Sequence, residues 1–134
     1  MKTASKKEVV TACRELAKGY NSLQGLDHRF DTCPMCKLFY NDSVPSRFAC
    51  SGNCPNMAFK TDANNYGCLD RQDKHNALNW NESGGNARLA IYWTRIGNYL
   101  SKQNPEDVEN LSESDRIKSH IVKTAKEIDQ KEMD

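Results

Sequence analysis

The sequence predicts a small α-rich domain with three principal helices around an irregular, cysteine-rich centre. Three observations carry that expectation. Apolar residues recur at three- and four-residue spacing towards both ends of the chain. Between those ends the periodicity fails, in a stretch dense in turn residues. Five of the 6 cysteines lie in that same stretch, between Cys33 and Cys68. The 134 residues suit one domain, 1–134. A hydrophobic fraction of 37% and a mean hydropathy of −0.83 leave a thin core that needs another source of order.

Residues 1–24 carry a net charge of +3 and read as the first helix. Ser5-Lys6-Lys7-Glu8 has the form of a capping box, in which Ser5 and Glu8 satisfy each other's backbone N–H. Val9, Cys13, Leu16 or Ala17, Tyr20 and Leu23 then form one apolar stripe, and Gly25 is a stop signal. Cys13 lies on that stripe, where a small buried thiol is the ordinary reading.

Residues 27–80 form the cysteine-rich region. Their punctuation is turn chemistry: Cys33-Pro34, Val44-Pro45, Ser51-Gly52-Asn53, Cys54-Pro55 and Asn64-Asn65-Tyr66-Gly67. Lys37–Tyr40 and Arg47–Ala49 are candidates for short β-strands, too short to stand without an added constraint. Some forty residues without regular structure fit poorly inside a small domain unless something else orders them.

Residues 84–132 read as a helical pair. Ser83-Gly84-Gly85 leads into a helix whose body is Ala87–Leu100, with Leu89, Trp93, Ile96 and Leu100 on one face. Ala90, Ile91, Tyr92 and Tyr99 broaden that face, as expected of the most buried helix. Ser101–Pro105 marks its exit. The last helix starts near Ser112 or Ser114 and buries Ile117, Ile121, Ala125 and Ile128, with Asp129–Asp134 fraying.

The cysteines run Cys33-Pro34-Met35-Cys36, then Cys50-Ser51-Gly52-Asn53-Cys54, then Cys68. Two thiols separated by a tight turn can both face one ion. A structural zinc takes four such ligands in a tetrahedron, with sulfur at roughly 2.3 Å. The preferred set is Cys33, Cys36, Cys54 and Cys68, with Cys50 as the alternative ligand. The expected centre is therefore metal-stabilised. An iron–sulfur cluster is the other metal reading. Three disulfides would suit an exported chain, but MKTASKKEVV has no apolar signal core, so a reducing, cytoplasmic setting is expected. His28 and His75 flank the cluster as candidate supporting groups, and His120 is expected on a solvated helix face.

Cys33-Pro34-Met35-Cys36-Lys37-Leu38-Phe39, then Cys50-Ser51-Gly52-Asn53-Cys54-Pro55, then Gly67-Cys68, resembles small uncharacterised cysteine-rich proteins of tailed bacteriophages and bacteria. The resemblance covers about residues 33–69. Three residues separate Cys50 from Cys54 where the pattern has two, so the ligand set stays open. The resemblance implies a small cytoplasmic or virus-delivered host-cell protein and carries no activity with it.

The net charge of +1 does not mark a polyanion binder, and no run reaches the about 20 apolar residues of a membrane helix. Asp70, Asp73 and His75 lack a placed nucleophile, and Ser83-Gly84-Gly85-Asn86 lacks the lysine of a phosphate loop. The expected function is a non-catalytic zinc-binding accessory protein that presents a surface to a host or phage protein. The basic first helix and the acidic residues of 106–115 are candidate contact sites. A nucleic-acid-binding zinc module is one alternative, with Lys37, Arg47, Lys60, Arg71 and Lys74 interleaved among aromatics. An iron–sulfur or redox metalloenzyme is the other.

Overall fold

The computed structural model describes residues 3–21, 34–39, 53–55, 58 and 82–130. In chain order these give α1 (Lys6–Asn21), α2 (Pro34–Phe39), α3 (Glu82–Ser101), α4 (Pro105–Glu109), a 3-10 turn (Leu111–Glu113) and α5 (Asp115–Gln130). There is no strand among the described residues. The three long helices are those expected from the apolar periodicity.

The capping box is formed at the start of α1. The Ser5 N–H and Oγ both donate to Glu8 Oε1, at 3.1 and 3.0 Å, and the Glu8 N–H donates to Ser5 Oγ at 3.2 Å. These bonds hold the Glu8 carboxyl below its usual range, the Ser5 backbone N–H contributing most. Ser5→Ala removes the cap and is expected to cost about 1 kcal/mol, read as a lower chemical-denaturation midpoint with unchanged slope.

α1 packs most extensively on α3. Its Val9, Ala12, Cys13, Leu16, Ala17 and Tyr20 are buried, facing Leu89, Ala90, Tyr92, Trp93, Ile96 and Leu100 of α3 within one apolar cluster. Each large side chain withdrawn from water there contributes about 1.5–3 kcal/mol. The α3 stripe is buried as expected, whereas Ile91 is exposed.

α1 and α3 approach closely where two small residues, Gly97 and Cys13, meet. A Cβ placed on Gly97 would lie 3.2 Å from Cys13 Cβ and 3.9 Å from Arg14 Cγ. Alanine at 97 would gain about 1 kcal/mol of helix propensity and spend it on that crowding. Valine adds two further carbons at the crossing. Gly97→Val is therefore expected to destabilise by about 2 kcal/mol, and Gly97→Ala to lie near neutral, in parallel denaturation curves.

Three details differ from the sequence expectation. Lys37–Phe39 is helical and not a strand, since α2 starts with Pro34 at its first turn and buries Met35 and Phe39, four residues apart, on one face. Gly84 and Gly85 lie inside the first turns of α3 and not ahead of it. The exit read at Ser101–Pro105 is followed at once by α4, with Pro105 at its first position and Val108 buried. Arg47–Ala49, Leu23 and Gly25 lie outside the described residues.

α5 closes the other side of α3 with Ile117, Ile121, Ala125 and Ile128, all buried. Ser114 caps it, accepting from the Ile117 N–H at 3.3 Å. At its far end the buried Arg88 of α3 donates from Nη1 to the Ile128 carbonyl at 2.6 Å, a cation at the negative end of the helix.

Candidate functional site

The cysteine region joins the helical body at Asn53-Cys54-Pro55. All three residues are buried, and the Cys54 side chain is wholly withdrawn from solvent into the apolar cluster. Asn53 makes the junction. Its Oδ1 accepts the Ala4 N–H at 2.9 Å. Its Nδ2 donates to the Ala4 carbonyl at 2.8 Å and to the Val108 carbonyl at 3.1 Å. A side-chain amide thus pairs with both polar groups of one backbone residue, as a neighbouring strand would, and ties α4 to the same point. Both amide N–H bonds and the carbonyl are used, which is what allows so polar a group to be buried.

Sequence reasoning missed this residue. Ser51-Gly52-Asn53 reads as a turn, and nothing in its composition signals partners 49 and 55 residues away in the chain.

α2 brings the other described part of the cysteine region to the same core. It packs on α1, with Met35 and Phe39 buried on either side of Cys36 in sequence. Of the expected ligands, Cys36 therefore sits on α2 and Cys54 in the core. Cys33, Cys50 and Cys68 lie outside the described residues, as do His28, His75 and the Asp70–His75 stretch. Among the described residues no group of three or more His, Cys, Asp or Glu converges as a metal site would.

Cys13 is a buried free thiol, as its place on the stripe predicts. Burial pushes its pKa up to about 12, so it stays neutral and unreactive in the folded chain. His120 is not simply solvated. Its ring stacks on Tyr99, centroids 3.6 Å apart and planes 11° from parallel.

No family model matches the chain, and no curated protein or solved structure matches it either. The chemistry of its own residues must carry the functional reading.

That chemistry includes how the basic start of α1 and the acidic 106–115 segment are used. The Lys6 ammonium donates to the Gln103 carbonyl at 2.6 Å, at the exit of α3. The Lys6 backbone N–H donates to Glu109 Oε1 at 3.3 Å, placing a carboxylate on the positive end of α1. The basic start of α1 and the acidic 106–115 segment thus meet within one chain at this point. Beside them, Val10, Thr11, Ser101 and Pro105 line an open groove of about 460 Å³. No helix among the described residues is long and apolar enough to cross a membrane.

Proposed function

We propose that this chain is a zinc-stabilised, non-catalytic interaction protein, in which a cysteine-bound metal completes the centre of a helical body. Zinc held by Cys33, Cys36, Cys68 and either Cys54 or Cys50 would supply the order that a neutral, turn-rich sequence does not. The observation that carries the reading is the seating of Asn53 and Cys54. Asn53, next to Cys54 in the chain, is fixed in the core by three buried hydrogen bonds, which anchors this point of the cysteine region to a scaffold rigid enough to hold a metal module. Met35 and Phe39, on either side of Cys36 in sequence, anchor α2 to the same core by apolar burial. Host or phage proteins are the proposed partners, in the cytoplasm, following the resemblance of residues 33–69.

The test is Cys33→Ser. Loss of one equivalent of bound zinc with a lower melting temperature is expected, and unchanged metal content and melting would contradict the reading. Titration with single- and double-stranded oligonucleotides separates the nucleic-acid alternative. Weak binding without a steep salt dependence is expected, whereas tight binding that collapses with added salt would favour that alternative.

A further inference from the structure

Among the described residues α5 rests chiefly on α3, along one seam, and on the 3-10 turn that precedes it. The seam is apolar along Ile117, Ile121, Ala125 and Ile128 and polar along its edge. On that edge the His120 imidazole lies flat on the Tyr99 ring. Arg116 of α5 fastens the same tyrosine, donating from Nη1 to Tyr99 Oη at 3.0 Å and to Gln103 Oε1 at 2.6 Å. Its Nη2 lies 3.3 Å from Asp107 Oδ2 of α4. Along the same seam Arg95 of α3 pairs with Glu127 of α5 at 2.8 Å.

We infer that the Tyr99–His120 stack is an acid-sensitive latch, in which a neutral imidazole holds α5 on α3 and a protonated one loosens it. The charged groups around the ring set the direction. Arg95 from α3 and Lys123 from α5 both oppose a proton on His120. Glu127 favours one but is already engaged by Arg95. Asp107 of α4 is engaged by Arg116, and Glu113 of the 3-10 turn is exposed. The π face of Tyr99 also attracts a cation. Partial burial, Arg95 and Lys123 outweigh these attractions, in that order, and hold the imidazole pKa below its usual value of 6.5.

The folded chain therefore takes up this proton less readily than the unfolded chain. The histidine's contribution to stability is complete above pH 6.5, declines as pH falls below 6.5, and is gone beneath the depressed folded value. Because His120 lies in the α5 seam, the loss falls first on that helix. Its opening uncovers the Ile117, Ile121 and Ile128 stripe while α1 and α3 remain packed.

Amide hydrogen exchange on the full chain at about pH 7.5 and 5.5, corrected for intrinsic rates, reads this directly. Protection of α5 relative to α1 is expected to fall several-fold at the lower pH. In His120→Phe, which keeps a stacking ring without a titrating one, the ratio should stay constant. A constant ratio in the native chain, or an equal fall in His120→Phe, would overturn the latch. If His120→Phe does not fold, the His120 ring titration by NMR decides. A midpoint below 6.5 that rises in Lys123→Gln supports the latch, and a midpoint at or above 6.5 overturns it.

Discussion

Asn53→Ala is expected to lower the stability of the chain by about 3 kcal/mol, or about 10 °C in melting temperature. The substitution removes no large apolar side chain. Its cost lies in the backbone groups left behind: the Ala4 N–H, the Ala4 carbonyl and the Val108 carbonyl lose their Asn53 partner inside the protein. An unsatisfied buried group of this kind costs about 1–3 kcal/mol, and water entering the gap relieves part of it. Asn53→Asp sharpens the test. It retains an acceptor for the Ala4 N–H but loses both donors and brings a carboxylate against two carbonyl oxygens. At neutral pH it should be at least as damaging as alanine. Thermal melts of both variants check this, and a loss smaller than about 0.5 kcal/mol for either would mean that the amide does not join the cysteine region to the helices.

Chelation of the proposed zinc is expected to have a larger effect than any single substitution outside the cysteine cluster. In small metal-ordered domains the energy of metal binding is folding energy, because the ligands are scattered in the unfolded chain. A strong zinc chelator should therefore lower the melting temperature by more than Asn53→Ala does. The effect should also reach beyond the cysteines. Asn53 adjoins Cys54 and holds Ala4, so exchange protection at the Ala4 amide should fall with the metal. Protection in the middle of α3, packed between α1 and α5, should fall least. A chain that melts identically with and without chelator would remove the metal from the account.

Much of the helical body is legible in the sequence because its signals are local. Ser5 and Glu8 are three residues apart and specify their own cap. Leu89, Trp93, Ile96 and Leu100, and likewise Ile117, Ile121, Ala125 and Ile128, announce a buried face by spacing alone. α2 was not legible as a helix, since an apolar run as short as Met35–Phe39 fits either period. α4 has five residues, fewer than a periodic signal needs. The candidate site was legible only as composition. Cysteine spacing suggests a metal, but Asn53 finds its partners through the tertiary fold, and local spacing carries no trace of them. His120 was hidden for the same reason: its partner Tyr99 belongs to another helix.

The central claim is that a metal held by the clustered cysteines completes this fold. Metal analysis together with an absorption spectrum, on protein purified without oxygen, tests it most directly. The account predicts one zinc per chain and no visible absorption band. Iron with sulfide, or a metal-free chain whose cysteines are paired as disulfides, would contradict it.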